Sequence, residues 1–134
     1  MMNASVAYLD TSAFLKLVVS EPESSTLRRF LLRWPQRTSA ALLRTESVRA
    51  LRRAGYGQLV GSARRLLKAM PLIHLDELLL DSAAELDPPE LPSLDALHLA
   101  AALRVGSDLG VFITYDERLG SAARERGLLV DSPV

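Results

Sequence analysis

The stretch SVAYLDTSAFLKLVV, residues 5–19, contains the boundary that decides the fold. Its first part, SVAYL at 5–9, is short and mostly apolar, which is typical of a buried strand in a parallel sheet. Asp10 follows at once, and residues 11–19 then have the composition of a helix. This succession predicts a strand–helix unit with a carboxylate at the carboxyl end of the strand.

The same alternation continues to the end of the chain. Pro35, Gly55, Pro71 and Gly127 mark the ends of helical segments, and Ser93 is the predicted N-cap of the helix at 94–106. The predicted strands are 5–9, 38–40, 72–75, 111–114 and 128–130, and the other predicted helices are 11–19, 22–34, 41–54, 58–70, 77–86 and 116–126. Strands that alternate with helices predict an α/β fold with a parallel sheet covered on both faces.

Length and composition indicate a single domain, residues 1–134. A chain of 134 residues that is 49% apolar can build a packed core. It has no cysteine, which excludes disulfides and thiolate metal sites. No stretch approaches the roughly 18 apolar residues of a membrane span, and the early apolar run does not resemble a signal peptide. We therefore expect a soluble, cytoplasmic protein.

The charges are unevenly distributed, although their sum is zero. Residues 28–68 contain eleven basic side chains and one acid, Glu46, whereas residues 76–95 contain seven acids and no Lys or Arg. This asymmetry has two explanations. The basic segment forms a face that meets phosphates, or its charges are solvated and pair with the acidic segment.

Three aspartates stand where a parallel sheet places functional residues. Asp10 follows the first predicted strand, Asp116 follows the strand VFIT at 111–114 by two residues, and Asp95 lies in the first turn of the helix at 94–106. Ligands of open α/β sheets bind at the carboxyl ends of the strands. Each aspartate taken alone also has a structural explanation, because Asp at a helix start caps amide groups and suits the helix dipole.

Glu46 is a fourth acid, in the middle of the predicted helix 41–54. It comes four residues after Leu42 and four before Ala50, so helical spacing sets it beside the apolar stripe of its helix. A carboxylate at the edge of a core is costly unless it is paired or binds a cation. Arg49 or Arg53 could be that partner, which would give Glu46 a purely structural role.

The four acids acquire a chemical meaning if they converge. Carboxylates that meet at one point repel each other, and at least one becomes protonated unless a cation is present. Oxygen ligands without thiolates favour Mg²⁺ or Mn²⁺. Such a cation polarises a phosphoryl oxygen and activates a water, which is what phosphodiester hydrolysis needs.

Four motifs, in order along nearly the whole chain, resemble those of the PIN-domain ribonucleases, and most closely the VapC-type toxins of VapBC toxin–antitoxin pairs. They are YLDTSAFLK around Asp10, RTESVRALRRAG around Glu46, LDALHLAAAL around Asp95 and ITYDERLGSAARERG around Asp116. The second motif departs slightly, because Thr45 stands where the family usually has a small residue.

The resemblance implies a PIN-like three-layer α/β/α sandwich with a central parallel sheet of four to five strands. It implies Mg²⁺- or Mn²⁺-dependent endoribonuclease activity on structured RNA such as tRNA or rRNA. Asp10, Asp95 and Asp116 would then be metal ligands, and Glu46 would bind the metal directly or through water, or orient the nucleophile. A homodimer, neutralised by a VapB-like antitoxin whose tail covers the active-site groove, is implied as well.

Several neighbours of the acids are candidates for supporting roles. Thr11 and Ser12 could hydrogen-bond a carboxylate or a phosphate, and the side chain of Thr114 could point into the same site. Capping and β-propensity are the structural alternatives. His98, one turn into the LDALHLAAAL helix, is either a packed, hydrogen-bonded histidine or a group that reaches the site.

Basic and apolar candidates are less specific. The candidate phosphate contacts are Lys16, Arg49, Arg52, Arg53 and Arg118. In the predicted helix 22–34, apolar side chains recur at helical spacing, namely Leu27, Phe30, Leu31 and Trp34. They fit either the core or an interface with an antitoxin or a second protomer.

Other functions on a similar fold are less well supported. A haloacid-dehalogenase-like phosphatase needs an Asp where this chain has Ser12, and a late Lys, whereas no Lys follows Lys68. A receiver-type signalling module needs paired acids near the first strand and a late Lys. The remaining alternative is a PIN-like module that binds RNA or protein without cleaving it. Substitution of Asp10 or Asp95 by Asn distinguishes the two, because only a nuclease would lose its function.

Overall fold

The computed structural model describes residues 4–134, in which five parallel strands alternate with seven α-helices. The strands are β1 Val6–Leu9, β2 Gln36–Ala40, β3 Leu72–Ile73, β4 Leu109–Ile113 and β5 Val130–Asp131. The helices are α1 Thr11–Val18, α2 Ser24–Leu31, α3 Leu43–Arg53, α4 Val60–Lys68, α5 Glu77–Ala84, α6 Ser93–Val105 and α7 Glu117–Glu125. The predicted α/β fold is confirmed. Of the predicted domain 1–134, residues 1–3 lie outside the described part.

The strand order is β3-β2-β1-β4-β5, so the first strand of the chain occupies the centre of the sheet. The chain builds the sheet outward to β3 and then crosses over to add β4 on the other side of β1. Such a reversal opens a crevice at the carboxyl ends of the two strands that flank it. Here those strands are β1 and β4, and the backbone amide of Asp10 still bonds the carbonyl of Ile113 at 3.2 Å.

Two helical layers cover the sheet and confirm the three-layer arrangement. Ala7 and Leu9 of β1 point to the α1–α4 side, where they pack with buried residues of α1 and α2. Tyr8 points to the α5–α7 side, where it packs with residues of all three helices. Because both faces are buried, the central strand has a continuous apolar sequence instead of an alternating one.

The four apolar residues that recur at helical spacing in the predicted helix 22–34 belong to the core. Leu27 and Leu31 are fully buried, and Phe30 and Trp34 pack against the same cluster while half-buried. The indole of Trp34 lies directly over Gly110 of β4, where a Cβ atom would overlap the ring. Packing therefore explains the spacing of these side chains without an interface.

Several predicted boundaries are wrong, and three of them concern α6, β3 and α3. Ser93 is the first helical residue of α6 and not its N-cap, which is Pro92, whose extended backbone leads into the helix without a side-chain cap. The strand predicted at 72–75 stops at Ile73, because this edge strand pairs only with the last two residues of β2. Helix α3 begins at Leu43, so Glu46 lies in its first turn and not in its middle.

No helix in residues 4–134 combines the length and apolarity needed to cross a bilayer.

Candidate active site

Asp10 is a buried carboxylate between β1 and α1. As an N-cap, its Oδ1 accepts from the amide of Ala13 at 2.9 Å, and the same oxygen accepts from Ser12 Oγ at 2.7 Å. Its Oδ2 accepts from Thr114 Oγ1 at 2.6 Å. Burial raises the pKa of Asp10, and the bonds from Thr114, Ala13 and Ser12 oppose that rise by stabilising the ionised form.

Thr114 connects the first acid to the last. While it donates to Asp10, its Oγ1 also accepts from the backbone amide of Asp116 at 3.0 Å. Asp116 caps α7, with Oδ1 accepting from the amide of Leu119 at 3.1 Å. A second bond joins the same two loops, because the amide of Tyr115 donates to Ser12 Oγ at 2.9 Å. The predicted supporting residues Ser12 and Thr114 therefore bond together the loops that carry two of the acids.

Glu46 reaches the same edge of the sheet from the first turn of α3. Its Oε1 accepts from Thr11 Oγ1 at 2.6 Å and bonds His98 Nε2 at 2.8 Å. Neither Arg49 nor Arg53 pairs with it within residues 4–134, where its side-chain partners are Thr11 and His98. The structural alternative for Glu46, an arginine pair on its own helix, is therefore not what the protein uses.

Asp95, in the first turn of α6, is half-buried, as Glu46 and Asp116 are. Burial, and then the charges of Asp116 and Asp10, raise its pKa to about 6, with Glu46 adding to the rise and His98 opposing it. The four acids therefore share one electrostatic environment, although they are distributed over more than a hundred residues of sequence. Repulsion of this kind is what a bound cation relieves.

The free oxygens of these carboxylates suit a hydrated cation. Within residues 4–134, no protein donor reaches the carboxylate of Asp95, Oδ2 of Asp116 or Oε2 of Glu46. The same residues contain no compact group of three acidic or histidine side chains that could hold a metal by itself. Mg²⁺ keeps several waters and uses few protein ligands, so an open set of carboxylate oxygens fits it better than a closed cage would.

The candidate phosphate contacts differ in whether their charges are already paired in the structure. Arg49, Arg52 and Arg53 are exposed on α3. The ammonium of Lys16 is instead engaged with two carboxylates, Glu23 at 2.6 Å and Glu21 at 3.4 Å. It also lies 4.7 Å from the ring centroid of Tyr115. Arg118 donates to the backbone carbonyl of Glu90 at 2.9 Å.

The basic segment is not neutralised by the acidic one. In the part of the chain from 4 to 134, the ion pairs within 4 Å include none between residues 28–68 and residues 76–95. Asp76 of the acidic segment pairs with Arg104, which lies outside the basic segment. The structure therefore does not support the explanation in which the basic segment pairs with the acidic one.

Tyr8 is a site residue that the sequence did not reveal. Its hydroxyl lies 2.7 Å from His98 Nδ1, and the two residues are 90 positions apart. Burial raises the pKa of Tyr8 well above 10, so the hydroxyl keeps its hydrogen and can donate it. In a strand of apolar residues, a tyrosine is expected to be a core residue. Only the fold shows that its hydroxyl points towards His98.

Comparison with known proteins identifies the family. The model of the PIN domain matches residues 7–125, and the chain belongs to the PIN-domain family. It is 47% identical to Ribonuclease VapC46 of Mycobacterium tuberculosis over 126 residues, which cover 94% of this chain and 96% of that protein. It is also 39% identical to Ribonuclease VapC47 of the same species over 130 residues, with the same coverage.

Solved structures support the fold at lower identity. Mycobacterium tuberculosis VapC20, a Sarcin-Ricin loop cleaving toxin, superposes with a TM-score of 0.72 at 18% identity, covering 87% of this chain and 94% of that one. VapBC2 from Rickettsia felis, bound to a DNA fragment from its promoter, gives 0.70 at 11% identity over 96% of this chain and 99% of that one. These neighbours share the fold of the protein.

Proposed function

We propose that this protein is a VapC-type toxin, a metal-dependent endoribonuclease built on a single PIN domain over residues 1–134. The observation that carries the proposal is the hydrogen-bond network that holds Asp10, Asp116 and Glu46 at the carboxyl edge of the sheet. The raised pKa of Asp95, to which the charges of these acids contribute, supports it. The relatives that cover nearly the whole chain are named ribonucleases. Residues and family therefore support the same chemistry.

In this proposal the cation is Mg²⁺ or Mn²⁺, held by Asp10, Asp95 and Asp116, with Glu46 as a direct or water-mediated ligand. When bound, the metal supplies Lewis-acid activation of the phosphodiester and of the attacking water. The protein contributes a pre-arranged set of carboxylates. Thr114 and Ser12 hold Asp10, Thr11 holds Glu46, and the start of α7 holds Asp116 by its capping bond.

RNA is the proposed substrate, with structured RNA such as tRNA or rRNA as the class. The exposed arginines of α3 support an RNA-binding role because they begin one turn beyond Glu46 on the same helix. At 100° per residue, Arg49 and Arg53 share the face of Glu46, whereas Arg52 lies to one side of it. Lys16 is a weaker candidate, because its charge is already paired with Glu23.

We propose a VapB-like antitoxin and a second copy of this chain as protein partners. The likeness to the VapBC2 assembly supports the first. The second copy is proposed from the family resemblance alone. Because its proposed substrate is cellular RNA, we place the protein in the cytoplasm.

The experiment is cleavage of total RNA by the purified, antitoxin-free protein, with Mg²⁺ or Mn²⁺ added and with EDTA. We expect cleavage with either metal and none with EDTA. Asp10→Asn should abolish it without loss of the fold, because Asn caps a helix as well as Asp does. A protein that binds RNA but never cleaves it would instead be the catalytically silent PIN-like module.

A further inference from the structure

A chain of hydrogen bonds runs from Tyr8, in the core, to the site through His98. Its Nδ1 lies 2.7 Å from Tyr8 Oη, and its Nε2 lies 2.8 Å from Glu46 Oε1. Tyr8 is fully buried and His98 is 2% exposed. Resting on the proposed function, we propose that His98 is a positioning residue, which fixes the Glu46 carboxylate with Oε2 free for a cation or its water.

The hydrogen-bond roles follow from the chemistry of the partners. An ionised carboxylate only accepts, so Nε2 must carry the hydrogen that lies between His98 and Glu46. In the neutral ring, Nδ1 is then an acceptor and takes the hydroxyl hydrogen of Tyr8. Thr11 Oγ1, which donates to the same Oε1 of Glu46, is also 3.0 Å from Nε2. Two bonds of the network, from Thr11 Oγ1 and from His98 Nε2, therefore end on the same oxygen of Glu46.

Tyr8 is a rigid anchor for this network. Its ring stacks on Phe112 of β4 with centroids 5.2 Å apart and planes 5° apart. The ring of His98 meets it edge-on, at 5.8 Å and 82°. Because both aromatic neighbours are buried, the hydroxyl of Tyr8 has little freedom, and neither has the imidazole that it bonds.

The network joins the three elements that carry Asp10, Glu46 and Asp95. Tyr8 lies on β1 two residues before Asp10, and His98 lies on α6 one turn after Asp95. The His98–Glu46 bond therefore fixes α3 relative to β1 and α6. A histidine that served packing alone would need hydrogen-bond partners for its nitrogens, but it would not need a site carboxylate as one of them.

The test uses two amide side chains in place of His98, each of which keeps the position of one ring nitrogen. In His98→Gln the amide nitrogen falls close to the position of Nε2 and can still donate to Glu46. In His98→Asn the amide is shorter and mimics the Nδ1 position, so the bond to Glu46 is lost. Tyr8→Phe removes only the hydroxyl. His74→Asn, at an exposed histidine at the end of β3, is the control for loss of a histidine.

The readout is the affinity for Mn²⁺, measured from the electron paramagnetic resonance signal of free Mn²⁺, beside thermal unfolding of the metal-free protein. We expect His98→Asn to weaken Mn²⁺ binding about tenfold and Tyr8→Phe to weaken it less, since such supporting partners are typically worth ten- to a hundredfold. His98→Gln should lie within about threefold of wild type, and His74→Asn should match wild type. In a Glu46→Gln background, His98→Asn should cause no further loss, because the two groups act as one unit.

Unchanged Mn²⁺ affinity in a folded His98→Asn variant would overturn the inference, and so would equal losses in the Asn and Gln variants. If His98→Asn does not unfold cooperatively, Tyr8→Phe decides, and wild-type affinity in that variant overturns the inference. A wild-type protein that neither binds Mn²⁺ nor cleaves RNA refutes the proposed function itself, and this inference with it. A wild type that does both while His98 variants behave like wild type refutes the inference alone.

Discussion

Thr114 donates its hydroxyl hydrogen to Asp10 Oδ2 at 2.6 Å, across 104 residues of sequence. The same oxygen atom of Thr114 accepts from the amide of Asp116 at 3.0 Å. One hydroxyl thus orients the acid at the end of β1 and the loop that carries the acid after β4. Both Thr114 and Asp10 are buried, so water cannot replace either partner easily.

Thr114→Val should therefore damage the site more than the fold. The side chain keeps its shape, but Asp10 loses a donor that stabilises its ionised form, and its pKa should rise further. We expect Mn²⁺ affinity and RNA cleavage to fall at least about tenfold, with a loss of stability of about 1–3 kcal/mol. The measurements are Mn²⁺ titration and urea unfolding.

Thr114→Ser is the matched control, because it keeps the hydroxyl and loses a methyl group. It should retain most of the Mn²⁺ affinity. If the Val and Ser variants bind Mn²⁺ equally well, the hydroxyl does not orient Asp10.

The sequence was most informative where a pattern is local. The apolar run before Asp10 and the short strand before Asp116 predicted two acids at the carboxyl edge, and β1 and β4 place them there. The caps of α1 and α7 were equally readable, since Asp10 and Asp116 bond the amides expected of N-caps. For Asp10 and Asp116, the structural role as N-cap and the proposed role as metal ligand are therefore compatible.

The sequence could not show which distant residues the fold brings into contact. Glu46 had two arginines within one or two turns of its own helix, yet it bonds a histidine 52 residues away, because only the fold brings Glu46 and His98 to the same edge of the sheet. Lys16 was a candidate phosphate contact, and a loop that folds back places Glu23 beside it. Nothing in a helical pattern predicts such meetings.

Asp95→Asn should stabilise the metal-free protein at neutral pH. Burial and the neighbouring carboxylates raise the pKa of Asp95 from its ordinary 3.8 to about 6. The native state therefore holds this proton over a range where the unfolded chain has lost it, and stability falls as the pH rises from about 4 to 6. The uncharged Asn variant escapes that loss.

Urea unfolding of both proteins in EDTA at pH 7.5 and pH 4 checks the sign. The variant should be the more stable protein at pH 7.5, and the difference should shrink towards pH 4. An Asn variant that is less stable than wild type at pH 7.5 would show that Asp95 is not under electrostatic strain.

Neutralising the arginines of α3 should weaken RNA binding by an electrostatic mechanism. We expect the triple variant Arg49→Gln, Arg52→Gln and Arg53→Gln to lower affinity at low salt. The slope of log affinity against log salt should flatten by about 0.7 for each phosphate of single-stranded RNA that an arginine no longer neutralises. Filter binding in EDTA, at several salt concentrations, measures both quantities without cleavage.

Arg126→Gln is the control, because this exposed arginine follows α7 near the amino end of β5 and away from the acids. It should change the salt slope little. Equal slopes for wild type and the triple variant would mean that the α3 arginines do not bind RNA phosphates.

Gly110→Ala should destabilise the fold because Trp34 occupies the space that a Cβ needs. The added methyl would overlap the indole and lie 3.0 Å from the carbonyl oxygen of Ala4. Overpacking of this kind costs about 1–3 kcal/mol, measurable by urea unfolding. Gly61→Ala in α4, where the nearest atom to a Cβ is Arg65 Nη1 at 3.6 Å, should cost nothing. Equal stability of the two variants would contradict the close packing of Trp34 on β4.

The most direct test of the shared acidic site compares RNA cleavage by the wild-type protein with that by Asp10→Asn, Glu46→Gln, Asp95→Asn and Asp116→Asn, each in Mn²⁺ and in EDTA. We predict that the wild type cleaves only with the metal. The three Asp variants should lose cleavage at least about a hundredfold while remaining folded, and Glu46→Gln should also be impaired. Metal-independent cleavage by the wild type, or full activity in folded Asp95→Asn and Asp116→Asn variants, would contradict it.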